Sequence, residues 1–532
     1  MLNKLKNLEL NFTVSKAAMI VGVFTLASRL VGLLRDRLFA SHFGAGDTLD
    51  IYYAAFRIPD FVFNLLILGT LSVAFIPVFT EQLLKDKAEA NRTANTVLNL
   101  SFIAMSVICL ALMFFAEPLT HLLVPGFSGQ KYLDTVSLTR IFLLSPIIFT
   151  VSNLFTSVLN AQKKFLIANL APIMYNLGII FGLLVLYPVW GLKGLGAGVI
   201  VGALLHLVVQ LPVAVSLGFS WQPVLDLKNA AAQKIIKLFL PRILGVDNSQ
   251  ISLLVGSIVG SILASGSIAV FNLANNLQAV PLGVFAIATA VAIFPLLSEF
   301  YAKRDVVNFT ESLRASITQI LFFMIPCGIL LLLFRAHVVR LAFGAGKFDW
   351  DATILTFNTL GMFALSLFAQ GLSPLLARAF YARQNTTVPV FTGLCTMALN
   401  AILAYLFGRQ FGVAGMAAAF SIASIFNALV LFIIIRLRLK TELAAAEESA
   451  VIHNFDQNLL DSVFRIIVAS IIMGLSGYGA LYALAHFIST NTGIGLLLQA
   501  GLAGCFAIAM FFITADYLKI PQARKIIKTI FA

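Results

Sequence analysis

Charge is scarce in this chain. Only 11% of its 532 residues are Asp, Glu, Lys or Arg, against about 25% in ordinary soluble domains. Cysteine is scarcer: Cys109, Cys327, Cys395 and Cys505 each sit in a different apolar run. That excludes a disulfide framework and offers no metal-ligand spacing. There is no P-loop, no HExxH helix, no CxxC pair and no Ser/His/Asp set on loops. Nucleotide-driven work and the common hydrolytic and redox chemistries are therefore not expected, nor is an enzyme or a bound cofactor. Energy would have to come from Na+, from the membrane potential or from the substrate's own gradient.

Apolar residues fill the chain instead. It is 60% hydrophobic with a mean hydropathy of +0.96, which implies an all-α polytopic membrane protein. Hydropathy predicts about 14 transmembrane helices, at 17–40, 50–80, 94–116, 136–159, 166–188, 194–217, 235–263, 268–296, 313–334, 353–377, 388–407, 412–435, 462–486 and 493–515. Met1–Lys16 is polar with scattered Lys and no cleavage site follows, so the first run is read as a retained helix.

The net charge of +13 could suggest nucleic acid, but its distribution does not. With the N-terminus in the cytoplasm, cytoplasmic segments hold about 23 Lys/Arg, outer loops about 6 and spans about 7, a positive-inside pattern. The basic stretches, such as Lys85/Lys87/Arg92 and Arg524/Lys525/Lys528, lack interleaved aromatics. They are read as topology signals that meet anionic lipid, with no nucleic-acid partner. Both termini are expected in the cytoplasm.

The sequence repeats with a period of roughly 220 residues. Ala74-Phe-Ile-Pro77 with Glu81 recurs as Ala292-Ile-Phe-Pro295 with Glu299. Val124-Pro125-Gly126-Phe127 recurs around Gly344-Ala345-Gly346-Lys347-Phe348, and Asn160-Ala161-Gln162 as Tyr381-Ala382-Arg383. Six spans per repeat make two parallel copies, which bind substrate between them near the midplane in transporters of this plan. The expected division is residues 1–225, 226–445 and 446–532. The last part holds two unmatched helices after a polar linker, Thr441–Asn458, and an add-on pair suits a long lipid tail.

Intramembrane charges are costly and are kept where they meet a partner or a watery path. The first run holds Arg29, Arg35 and Asp36. At 100° per residue, Ser28, Arg29, Gly32, Arg35 and Asp36 share an arc of about 120°. Two guanidinium forks beside a glycine suit a pyrophosphate or another polyanionic head. The competing reading is an internal Arg–Asp brace. The second run adds Asp50, Arg57, Pro59, Asp60 and Asn64, with Pro77 near its far end; Gly32, Pro59 and Pro77 are gating candidates. Asp47 is expected to be a solvated loop residue. In the second half the matching segment, Asn272 to Gln278 with Asn276, is amide-rich and uncharged. Asp247, among Asn248, Ser249 and Gln250, could hold Na+ or cap a helix break. Arg140, Arg242 and Arg465 are expected to snorkel, and His206 to be packed.

These blocks resemble the MurJ (MviN) family of lipid II flippases in the MOP exporter superfamily. The resemblance rests on Ser28-Arg29-Leu-Val-Gly32-Leu-Leu-Arg35-Asp36, Phe43-Gly-Ala-Gly46 with Asp50, and Ala55-Phe56-Arg57-Ile-Pro59. Ala74-Phe-Ile-Pro77, Leu263-Ala-Ser-Gly266 and Ala379-Phe-Tyr-Ala-Arg-Gln384 extend it. It implies a V-shaped 14-helix bundle that alternates between inward- and outward-facing states. The cargo would be lipid II, an undecaprenyl-pyrophosphate-linked disaccharide pentapeptide, carried from the inner to the outer leaflet of the bacterial plasma (inner) membrane by a monomer. Arg29 and Arg35 match required family arginines and Asp50 a functional carboxylate; Asp36, Arg57 and Asn276 complete the expected substrate contacts. The last two helices would form the tail groove. Where family members carry charge, this chain has Phe63, Leu68 and Asn276. A flippase for another polyprenyl-linked glycan and an ion-coupled small-molecule exporter are the alternatives. An arginine-rich cavity disfavours a cationic drug as cargo.

Overall fold

The computed structural model describes residues 14–66, 71–243, 248–490 and 492–531. The described residues are almost wholly helical and include no strand. In chain order the helices are α1 (Val14–Phe43), α2 (Asp47–Leu66), α3 (Leu71–Lys85), α4 (Lys87–Phe114), α5 (Ala116–Leu123), α6 (Gly129–Phe142) and α7 (Leu144–Ala161). They continue with α8 (Phe165–Trp190), α9 (Leu192–Val208), α10 (Leu211–Ser216), α11 (Ala230–Ile243) and α12 (Asn248–Ser261). The remainder are α13 (Ser267–Ala302), α14 (Val306–Phe343), α15 (Trp350–Ala364), α16 (Leu367–Ala382), α17 (Thr387–Ala445), α18 (Ser449–Ala485), α19 (Gly493–Tyr517) and α20 (Pro521–Phe531).

Among the described residues, nine helices are long and apolar enough to cross a membrane, or ten if the bent pair α15 and α16 is one span. The protein is therefore a multi-pass membrane protein. The hydropathy spans map unevenly onto helices. The run expected at 50–80 is two helices, α2 and α3, with residues 67–70 between them outside the described set. The runs at 388–407 and 412–435 are two helical stretches of α17 that meet at a kink at Gly412, whose φ of 62° and ψ of −146° are non-helical and only glycine adopts easily. The polar linker expected at Thr441–Asn458 is mostly helix: α17 runs to Ala445, and only 446–448 turn before α18.

The chain packs as two compact units, Met1–Ser265 and Gly266–Ala532. The repeat divides the chain near 225, whereas packing divides it after Ser265, because α12 lies against α2 and α5 of the first unit. The first unit has a core of Phe75, Val78 and Phe79 on α3 against Leu154 and Phe155 on α7. The second is built on α14, with Leu313, Ile317, Ile320 and Phe322 fully or nearly fully buried among Leu375, Phe455 and Phe511. Leu26 and Leu34 on α1, Phe464 and Leu475 on α18 and Leu497 on α19 are exposed, as expected of helix faces that meet lipid tails rather than water.

The duplication is visible in backbone detail. α7 and α16 both end on an αL residue, Lys163 and Gln384, and in both the next N–H closes back, Lys164 to the Leu159 carbonyl and Asn385 to that of Phe380. Gly191 (φ 56°, ψ −138°) turns the chain into α9 as Gly412 turns α17. Glu81 pairs with Lys85 on α3 as Glu299 does with Lys303 on α13.

Candidate functional site

The polar wedge of α1 faces α8, the helix against which α1 packs. Arg35 donates through Nε and Nη2 to Asp36 Oδ1, at 3.0 and 2.8 Å, and through Nη1 to Asn176 Oδ1 at 3.0 Å. Asn176 is aimed by its own amide, which donates to the Pro172 carbonyl at 3.0 Å one turn earlier on α8. Asp36 is buried, whereas the Arg35 side chain keeps some exposure. So an Arg–Asp pair exists within α1, between Arg35 and Asp36, and the partner of Arg35 across the helix pair is an amide. Asp36 balances the guanidinium charge, and Asn176 orients the guanidinium without adding a second negative charge. Gly32 sits one turn before Asp36, and a Cβ there would meet the Asn176 amide at 3.8 Å, ordinary contact. Arg29 lies a further turn back and is half-buried.

The close packing of α8 on α9 holds Asn176 in place. A Cβ on Gly178 would lie 2.2 Å from the Gly202 Cα, and one on Gly182 2.4 Å from the Gly198 Cα. The two backbones touch along this glycine seam, as small residues permit in membranes.

From α2 come Tyr52, Tyr53, Arg57 and Asp60. Tyr52 and Tyr53 are buried and within electrostatic reach of Arg35 and Asp36. The Tyr52 hydroxyl has no hydrogen-bond partner among the described residues, although its ring packs on Phe39, Phe56 and Phe142 at 4.7, 5.0 and 5.6 Å. A buried hydroxyl without a partner is rare unless a ligand or water supplies one. Arg57 is buried and donates through Nε to Ser257 Oγ on α12 at 2.9 Å. Asp60 lies within electrostatic reach of both Arg57 and Arg35. Pro59 is buried inside α2, whereas Pro77 lies on α3 and is exposed.

A second polar cluster closes the other end of α2. Lys131 on α6 reaches Asp47 at 2.5 Å and Asp50 at 3.0 Å, and stacks over Phe127 at 4.1 Å. The Asp50 side chain is 1% exposed and that of Asp47 60%. Asp47 is thus not simply solvated, since Ser265 Oγ also donates to it at 2.6 Å. Lys131 and Ser265 hold the Asp47 carboxyl below the usual carboxylate range.

Asn276 lies on α13 in the second unit and is half-buried. Nearby, Gln278 donates to Asn275 at 3.0 Å and accepts from Gln370 at 2.9 Å. Phe63 packs against Phe149 at 5.1 Å, and Phe149 against Tyr175 and His206. His206 also meets Ser152 at 2.5 Å. Asp247 and Leu68 lie outside the described residues. The second unit also holds an apolar groove of about 340 Å³ between α13, α14 and α19, lined by Pro281, Leu331, Phe334, Leu341, Ala500 and Gly504.

Sequence reasoning missed Asn176, Lys131, Tyr52 and Ser257. A lone amide in the apolar run of α8 was the available signal for Asn176. Lys131 looks like a loop charge until α6 brings it to Asp50.

Comparison with known proteins agrees with this architecture. Residues 39–498 match the family model for Lipid II flippase MurJ. The chain belongs to the MurJ family. Curated relatives include a probable lipid II flippase MurJ of Buchnera aphidicola, 30% identical over 77% of this chain and 81% of its own. The counterpart in Thermotoga maritima is 28% identical over 95% and 96%. Among solved structures, a lipid II flippase MurJ in an inward closed conformation aligns with a TM-score of 0.73 at 23% identity, over 94% of this chain and 99% of that one. An inward-facing multidrug resistance MATE transporter of the MOP superfamily aligns at 0.66 and 16% identity, over 78% and 95%. These two likenesses establish a shared fold. The MurJ family fold is thus common to flippases and exporters, and the residues of the site decide between them.

Proposed function

We propose that this chain moves lipid II from the inner to the outer leaflet of the bacterial inner membrane by alternating access. One observation carries the reading. Arg35 is held by Asp36 and the neutral Asn176, close to the unsatisfied Tyr52 hydroxyl. That is an oriented guanidinium with an unpartnered hydroxyl beside it, donors suited to a diphosphate. Arg29 shares the face of α1 and completes the grip, while Arg57 and Asp60 shape the field. Lys131 with Asp50 is the pair that opens or closes one end of the path. The apolar groove of the second unit takes the polyprenyl tail while the head crosses. The protein works as a monomer without covalent chemistry, with both termini cytoplasmic, and draws on the membrane potential or an Na+ gradient.

The test is surface exposure of lipid II in cells depleted of their own flippase, read with an impermeant reagent that cleaves exposed lipid II. The wild type restores exposure; Arg29→Ala and Arg35→Ala do not, at equal membrane expression. Exposure restored by both variants removes the diphosphate clamp. No exposure with a well-expressed wild type gives the clamp to another polyprenyl-linked glycan.

A further inference from the structure

The second unit holds a polar cavity whose lining includes three cations. At the end that carries α20, a cavity of about 320 Å³ is lined by Arg314, Asn458, Asp461, Ser462, Arg465 and Lys519. Arg465 does more than snorkel. Its Nε and Nη2 clasp Asp461 at 2.9 and 2.8 Å, and its Nη1 donates to the Leu518 carbonyl at 2.8 Å. Arg314 donates through Nε and Nη2 to Glu311 at 3.0 and 2.7 Å. Each arginine therefore has its own carboxylate and a fixed orientation. The Lys519 ammonium has no ion-pair partner among the described residues. Three cations facing two carboxylates leave one positive charge in a polar cavity, the complement of a monoanion.

The backbone positions the lysine. Lys519 adopts φ 57°, the left-handed region where a glycine would sit without strain. It is the turn between α19 and α20, closed by the Ile520 N–H on the Ala515 carbonyl at 2.9 Å. The same left-handed turn ends other helices at Lys163 and Arg304, so it fixes where the Lys519 ammonium stands rather than marking a ligand.

The surroundings name the source of the anion. Leu460 and Phe464 flank Asp461 and Arg465, Tyr517 precedes Lys519 by two residues, and all three are exposed. α20 then buries Ala523, after a buried Ile520, and carries Arg524, Lys525 and Lys528 on its exposed side. A short basic amphipathic helix beside exposed apolar rings lies in the membrane interface. We propose that this cavity binds the phosphodiester of an anionic glycerophospholipid, with Lys519 as the principal cation and Arg314, Arg465 and Ser462 as further donors.

The experiment uses the purified full-length chain in detergent, with phosphatidylglycerol, phosphatidylcholine and inorganic phosphate as probes. Native mass spectrometry reads the tightest-bound lipid, and thermal unfolding reads stability. Lys519→Gly removes the ammonium while relieving the backbone, so poor folding cannot imitate the result. It should weaken phosphatidylglycerol binding about tenfold and raise the unfolding midpoint without lipid. Arg524→Gln, whose guanidinium pairs with Asp516 outside the cavity, should bind phosphatidylglycerol as the wild type does. Wild-type binding by Lys519→Gly overturns the site. Phosphatidylcholine binding as tightly as phosphatidylglycerol overturns the charge argument. A Lys519-dependent midpoint shift of the same size with inorganic phosphate assigns the cavity to a soluble anion and overturns the lipid.

Discussion

Asn176 Oδ1 accepts a hydrogen bond from Arg35 Nη1 at 3.0 Å and ties α8 to α1. The acceptor carries no charge, so it orients the guanidinium without adding to the counter-charge of Asp36. Asn176→Leu should leave expression intact and lower lipid II exposure several-fold, because the fork loses its cross-helix rest. A hydrogen bond to a charged group is worth about 1.5–3 kcal/mol. Asn176→Asp should also lower transport, by giving the arginine a second counter-charge. If both variants flip like the wild type, Asn176 has no part in the site.

The glycine seam and Gly32 should respond oppositely to added bulk. Gly182→Val drives a side chain into the Gly198 backbone, 2.4 Å from where the Cβ would sit. It should abolish monodisperse protein after detergent extraction. Gly32→Ala meets only ordinary contact and should fold at wild-type yield. Transport by Gly32→Ala then tells whether gating needs the missing side chain, separately from folding.

The Asp47 cluster predicts a stability change with pH. The carboxyl is held below its ordinary value of 3.8 by Lys131 and Ser265. A depressed folded-state value means the charged form stabilises the fold above the unfolded value. That contribution is lost as pH falls through the folded value. Asp47→Asn should therefore lower the unfolding midpoint near neutral pH, and the gap from wild type should narrow below about pH 4. A gap independent of pH would show that the ion pair contributes nothing.

Helix ends offer a stabilising change. Lys163 and Gln384 occupy the left-handed region at φ 61° and 56°. Lys163→Gly or Gln384→Gly should each stabilise by about 0.5–1 kcal/mol. Thermal unfolding of single and double variants checks this, and additive gains are expected because the two ends belong to separate units.

Much of this molecule is legible in its sequence because lipid is a simple solvent. Long apolar runs become helices, and Arg29, Arg35 and Asp36 stand out since charge there demands a reason. The repeat is legible too: Asn160-Ala161-Gln162 and Tyr381-Ala382-Arg383 end their helices with the same turn. The break at Gly412 is legible as well, since the spans expected at 388–407 and 412–435 meet at that kink. What hydropathy cannot show is partners distant in the chain. Asp47 looks solvated until Lys131 and Ser265 are placed beside it, and Asn176 looks incidental until α8 meets α1.

The glycine seam bears on how the first unit assembles. Gly178, Gly182, Gly198 and Gly202 have no rotamers to lose when α8 meets α9. The two helices are joined by the single turn at Gly191, so loop closure is short as well. This hairpin forms through local contacts, which makes it a natural nucleus for insertion. Asn176 would then stand ready before α1 docks, and the arginine would find its orientation waiting for it.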